Sequence, residues 1–138
     1  MNRNIRILIL EDRATDADLM EYELQEAGIT FISWRTEKEG DYIRALQEFS
    51  PDLILSDYEL PQYNGSLALV AAKKLRPEVP FILVTGVMSA GNGVCREMLA
   101  NGARECVLKD HLELLAPAVQ KALRQNKGNN ITAGKREP

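Results

Sequence analysis

The sequence predicts an α/β domain: an open, parallel β-sheet with helices packed on both of its faces. Three observations carry that expectation. Short, branched apolar runs recur along the chain, beginning with IRILIL at Ile5–Leu10. Each run is followed by a stretch with helical spacing of its apolar residues, and such alternation means parallel strands joined by crossovers. The 138 residues hold only five of these pairs, too few for an eight-unit barrel.

Taken in order, Ile5–Leu10 reads as a strand covered on both faces. Thr15–Ala27 places Leu19, Met20, Leu24 and Ala27 at helical spacing, and Gly28 is a natural stop. Thr30–Arg35 (TFISWR), aromatic and β-branched, reads as the second strand. Thr36, with Glu39 three residues on, forms a capping-box pattern for a helix running to about Phe49, before Pro51. Leu53–Ser56 is a strand and Ser66–Leu75 a helix. Phe81–Val84 is a strand, followed by a helix over about Ser89–Asn101 that Gly102 ends. Glu105–Leu108 is the last strand and Leu112–Arg124 the last helix, with Asp110 and Glu113 as its capping box. Gln125 to Pro138 is polar and aperiodic. The expected organisation is one domain over 1–124 with a disordered tail or linker stub at 125–138.

Composition narrows the function classes. Hydrophobic residues make up 45% and charged residues 27%, an ordinary soluble balance. The net charge is −3 with no long basic run, so no direct nucleic-acid partner is expected. Apolar runs fall well short of the about 18 residues a membrane span needs. MNRNIRILILED reads as a first strand, not a signal peptide. Cys95 and Cys106 make neither a disulfide framework nor a metal pattern. The expectation is reduced thiols and a cytoplasmic location.

Ligands of an open parallel sheet bind at the carboxyl ends of its strands. The first strand ends in Glu11 and Asp12, the third in Asp57, the fourth in Thr85 and Gly86, the fifth in Lys109. Three carboxylates on one sheet edge repel by on the order of several kcal/mol. They call for a cation or a raised pKa. An all-oxygen set suits a hard ion such as Mg²⁺. Lys109 and Thr85 supply an ammonium and a hydroxyl, suited to phosphoryl oxygens. Metal, lysine and hydroxyl around a further carboxylate is a phosphoryl-transfer arrangement. With Glu11 and Asp12 needed for the metal, Asp57 is the candidate nucleophile.

These residues resemble the receiver domain of a two-component response regulator (CheY-like). The resemblance rests on Glu11-Asp12, on LSDYELPQYNG around Asp57, on VTG at Val84–Gly86 and on LKD closing the fifth strand, and covers about Ile5 to Leu123. It implies a flavodoxin-like sheet of order 2-1-3-4-5, doubly wound with five helices. It implies that Asp57 accepts a phosphoryl group from the phosphohistidine of a sensor histidine kinase or phosphotransfer protein. Mg²⁺ would be held by Asp12, Asp57 and the backbone carbonyl of Glu59, and through water by Glu11. Lys109 would pair with the carboxylate and then the phosphoryl group. Thr85 would move to bond that group, and Gly86 would leave it room. The face made by the fourth helix, fifth strand and fifth helix would dock a downstream protein target or a covalently linked output domain. No activity on other molecules is implied beyond the domain's own phosphoryl uptake and loss.

Departures from the family pattern are informative. Cys106 stands where many receivers have an aromatic residue, and a small hydrophobe cannot swing as a ring does. The expected response to phosphorylation is therefore a reshaped loop after the fourth strand. Asp110 follows Lys109 where receivers usually have proline after a cis bond, a form costing about 2.5–4 kcal/mol without proline. The bond is trans or the site holds strain. Glu59 lies two residues past Asp57, where it could orient or hinder attacking water.

Plainer readings exist. Asp12 alone could be a helix cap. His111 reads as exposed, Cys95 as packed, and Met20, Met88 and Met98 as core or loop filler. Trp34 reads as a strand residue packed on a helix, and Pro61 and Gly65 as turn residues. Three other functions compete: a flavodoxin-like cofactor binder, a haloacid-type phosphatase, and a receiver-like scaffold that binds partners unphosphorylated. The first is disfavoured by EDRATDAD after the first strand, which repels phosphate unless a metal intervenes.

Overall fold

The computed structural model describes residues 4–86 and 93–136, with side chains to residue 126. Five parallel strands form one sheet: β1 (Ile5–Leu10), β2 (Phe31–Thr36), β3 (Leu53–Ser56), β4 (Phe81–Thr85) and β5 (Glu105–Leu108). Their order is β2-β1-β3-β4-β5, as expected. Five helices connect them: α1 (Ala14–Glu26), α2 (Glu39–Glu48), α3 (Gly65–Leu75), α4 (Val94–Ala100) and α5 (Leu115–Arg136). The order reverses between β1 and β3, because the chain leaves β1 for one edge through β2 and returns to the other side. That reversal opens a crevice at the carboxyl ends of β1 and β3.

Alternation along the central strands builds two cores. Leu8 and Leu10 of β1 and Ile54 of β3 face one side, where α2, α3 and α4 deliver Tyr42, Leu46, Leu69, Ala72 and Met98. Ile7, Ile9, Leu53 and Leu55 face the other, where α1 and α5 deliver Met20, Leu24, Leu115 and Val119. Burial on both sides is why these strands read as unbroken apolar runs. Trp34 packs its ring edge-on against Phe49, centroids 5.3 Å apart.

Several sequence expectations are corrected. Thr36 does not cap α2. It ends β2, and its buried hydroxyl donates to the Ile9 carbonyl of β1 at 3.1 Å. The helix begins after Lys38 without a side-chain cap. Leu19 is exposed, because α1 turns Ala17, Met20 and Leu24 inward instead. Asp110 caps nothing: the chain enters a 3₁₀ turn at Lys109–Leu114, His111 breaks its geometry, and α5 starts only at Leu115, out of Asp110's reach. The Lys109–Asp110 peptide is trans. Ser89 and Met88 lie outside the described residues, and α4 is described from Val94. The backbone beyond Arg124 stays helical to Arg136, where an irregular tail is expected. No proline precedes residue 138 there, so helix propagation meets no hard stop.

Cys95 and Cys106 are not free thiols; they form a disulfide. Packing α4 against β5 brings their Cα atoms to 5.7 Å, a closeness that their spacing in the sequence does not reveal. Among the described residues, no helix is long and apolar enough to cross a membrane.

Candidate functional site

The acids arrive where the strands deliver them. The Glu11 amide donates to Thr36 O, and the Asp57 amide to Leu10 O, so both residues continue the sheet's hydrogen bonding just past the strand ends. Glu11 and Asp57 are buried, 5% and 7% exposed, while Asp12 is half-buried. One carboxylate oxygen from each of the three lies within 4.8 Å of the others. Helix α1 starts after Arg13 without a side-chain cap, so Asp12 is not spent on capping it.

Lys109 comes from the end of β5 and reaches across this cluster. Its Nζ donates to Asp57 Oδ2 at 3.0 Å and to Asp16 Oδ2 at 2.8 Å. Glu11 Oε1 lies 2.9 Å from the same nitrogen, an ion-pair contact without an aligned hydrogen bond, and no donor satisfies that oxygen among the described residues. The other Glu11 oxygen accepts from the Arg13 amide at 3.1 Å. Burial, partly offset by the Lys109 ammonium, pushes the Glu11 carboxyl up to about 7; the Asp57 charge adds to the rise. Burial alone would lower Lys109, but its ion pairs with Asp16, Glu11 and Asp57 outweigh that and raise it. The ammonium stays charged.

Asp57 presents two different oxygens. Oδ1 accepts from the Tyr58 amide at 2.7 Å, which fixes the carboxylate plane, and Oδ2 faces Lys109. The chain then turns through a short antiparallel ribbon, with Glu59 opposite Asn64 and Leu60 opposite Tyr63. Pro61 and Gln62 make the turn, Gln62 with φ 63°. Asn64 caps α3 by accepting from the Leu67 amide at 2.9 Å. Glu59 therefore begins the ribbon directly behind Asp57, its side chain exposed.

Gly65 has a tighter duty than a turn. A Cβ there would sit 3.1 Å from the Asp57 carbonyl oxygen, the Tyr58 Cα and the Tyr58 ring. The Gly65 amide also donates to Tyr58 O at 2.7 Å. Gly65→Ala is expected to push the Asp57–Tyr58 backbone aside and cost about 1–3 kcal/mol. Urea unfolding checks the cost; an unchanged midpoint would show that the ribbon gives way freely.

Thr85 ends β4, next to β3 in the sheet. It is fully buried, and its hydroxyl has no hydrogen-bond partner among the described residues. An unpaired buried hydroxyl costs free energy and calls for a purpose. A Cβ built on Gly86 meets no described atom within 4 Å. His111 is exposed beside Glu113, and Asp110 is exposed, so neither enters the cluster.

The structure thus brings together Glu11, Asp12, Asp57 and Lys109, with Thr85 at the same sheet edge. Asp16 was missed by sequence reasoning. It sits in the first turn of α1, 93 residues from the lysine it binds, and no spacing rule ties the two. The donors fit a hard divalent cation: they are all oxygen, close together, and include a buried oxygen, Glu11 Oε1, that makes no aligned hydrogen bond among the described residues.

An open α/β sheet with an acid cluster, a lysine and a hydroxyl at its switch point is a site suited to a cation and an anionic ligand. Comparison with known proteins agrees. Residues 7–120 match the model of the response regulator receiver domain, and the chain belongs to that family, a component of two-component systems. It is 29% identical over 125 residues to the transcriptional regulatory protein PhoP of Escherichia coli O157:H7, covering 90% of this chain and 54% of that protein. It is 33% identical over 118 residues to the luminescence regulatory protein LuxO of Vibrio campbellii, covering 85% of this chain and 25% of that protein. A CheY-like receiver domain structure from Methanospirillum hungatei superimposes with a TM-score of 0.78 at 26% identity, covering 92% of this chain and 99% of that one. The chain thus spans about half of PhoP and a quarter of LuxO. The cofactor-binder and phosphatase alternatives fall with the family match.

Proposed function

We propose that the chain is a phosphorylation switch in which Asp57 takes a phosphoryl group from the phosphohistidine of a sensor histidine kinase or phosphotransfer protein. The observation that carries this reading is the Asp57–Lys109 pair, 3.0 Å long, inside a cluster of acids. Asp12, Asp57 and the Glu59 backbone carbonyl would hold Mg²⁺, with Glu11 reaching it through water. The ion, when bound, neutralises the phosphoryl oxygens and offsets the repulsion among the acids.

The chain's own groups do the rest. The Tyr58 amide holds Asp57 Oδ1, which aims the carboxylate. A carboxylate oxygen attacks phosphorus, the P–N bond breaks, and the imidazole leaves with the electron pair and takes up a proton. Lys109 transfers its pairing from the carboxylate to a phosphoryl oxygen. Thr85, its hydroxyl without a partner among the described residues, donates to another, and its movement shifts the loop after β4 and with it the docking face. Water later cleaves the acyl phosphate and restores Asp57. The unit spans 1–124, residues 125–138 lead away as a linker, and it works in the cytoplasm on a downstream protein or a linked output domain.

Intact mass after incubation with acetyl phosphate tests the reading. One added phosphoryl group is expected with Mg²⁺, none with chelator, and none for Asp57→Asn under either condition. A chain that never gains the mass would be a receiver-like scaffold instead.

A further inference from the structure

The disulfide lies outside the phosphoryl site, between the strand beside β4 and the next described helix after Thr85. Cys95 is on α4 and Cys106 on β5, their Cα atoms 5.7 Å apart, well within the span a disulfide bridges without backbone movement. In the sheet, Cys106 lies beside Leu83 and Leu108 beside Thr85. Cys106 therefore stands on the same face as Thr85, the face whose core α4 covers. Thr85 and Cys95 bound the segment that leads from the site to α4. The bond thus ties α4, the next described helix after Thr85, to the strand that pairs with β4.

Among the described residues, helix α4 is anchored by few side chains. It has seven residues and buries two, Val94 and Met98, and a helix that short does not stand by its own hydrogen bonds. Neither cysteine is fully buried, so a small reagent has access to the pair. In a reducing compartment a disulfide is transient and redox-sensing more often than structural.

We propose that Cys95 and Cys106 are a reversible redox switch: oxidised, they clamp α4 onto β5 and uncouple it from Asp57; reduced, they release it to respond. The coupling half rests on the phosphoacceptor reading above. The oxidant is a low-molecular-weight disulfide such as oxidised glutathione. One cysteine thiolate attacks it, forming a mixed disulfide and releasing one small thiol. The second cysteine thiolate then attacks the protein sulfur and releases the other. The protein loses two protons and two electrons, and the small disulfide takes up both.

The test equilibrates the full chain in glutathione buffers of graded oxidation, quenches with N-ethylmaleimide and weighs it. Two alkylations are expected at the reduced end and none at the oxidised end, reversibly. Hydrogen exchange in α4 is expected to be about tenfold faster in the reduced form. Cys106→Ala should match the reduced form in every buffer. Loading Asp57 with acetyl phosphate should change α4 exchange in the reduced form and leave it unchanged in the oxidised form. Two alkylations at every ratio, or equal α4 exchange in both forms, overturns the clamp. A loading response of equal size in both forms overturns the coupling. Absence of any phosphoryl group on Asp57 overturns the phosphoacceptor reading and the coupling with it, while the redox difference in exchange still decides the clamp.

Discussion

Replacing Lys109 with methionine is expected to slow the loading of Asp57 by acetyl phosphate about 100-fold, the scale for losing one donor aimed at developing charge. The same change should destabilise the metal-free chain at pH 8 by about 2 kcal/mol, below the range for breaking a fully buried pair because the Lys109 side chain keeps 18% exposure. The reason is the same in both cases. One ammonium serves Glu11, Asp16 and Asp57, at 2.9, 2.8 and 3.0 Å, and nothing else cationic touches Glu11 or Asp57 among the described residues. With the lysine gone, Glu11 answers by holding its proton more tightly. Its folded pKa, already about 7 against 4.5 for an ordinary glutamate, rises further. A raised acid loses its stabilising proton as pH increases, so the cost should shrink at pH 5.5 and be fully felt at pH 8. Stopped-flow loading and urea unfolding at the two pH values read the two effects. An unchanged loading rate would remove Lys109 from the chemistry whatever happened to stability.

The fold was legible because its signals are local and repeat. Unbroken apolar runs in β1, β3 and β4 follow from burial on both faces, and Asp57 was found because a charged residue at the end of such a run has few structural reasons to be there. The strand ends located Glu11, Asp12, Thr85 and Lys109 in the same way. What could not be read depends on how side chains are shared between elements. Thr36 fits a capping box in sequence, yet the neighbouring strand takes its hydroxyl. Asp16 is unremarkable in α1 until β5 lays Lys109 across it. Cys95 and Cys106 are a close pair only once α4 rests on β5. The cap at Asn64 was there to be found, since a short polar residue precedes a glycine at the helix start.

Glu11→Gln is expected to raise the stability of the metal-free chain at pH 8 by about 1–3 kcal/mol and to lower it relative to the native chain once Mg²⁺ is saturating. Glu11 is almost wholly buried, and burial is the largest cause lifting its carboxyl from 4.5 to about 7, with the Lys109 ammonium only partly offsetting it. The folded state therefore binds this proton more tightly than the unfolded state does. Stability from that proton is present below about pH 4.5 and lost as pH rises towards 7. Glutamine copies the protonated form and cannot lose it, so the advantage of the variant should be small at pH 5 and grow to a plateau above pH 7. Added metal reverses the balance, because a divalent ion repays the buried charge that glutamine lacks. Urea unfolding at pH 5 and pH 8, with and without Mg²⁺, gives the four values required. A variant less stable than the native chain at pH 8 without metal would mean that the Lys109 contact outweighs the burial of the charge. The acid cluster would then be a stabilising ion network and not a strained site waiting for a cation.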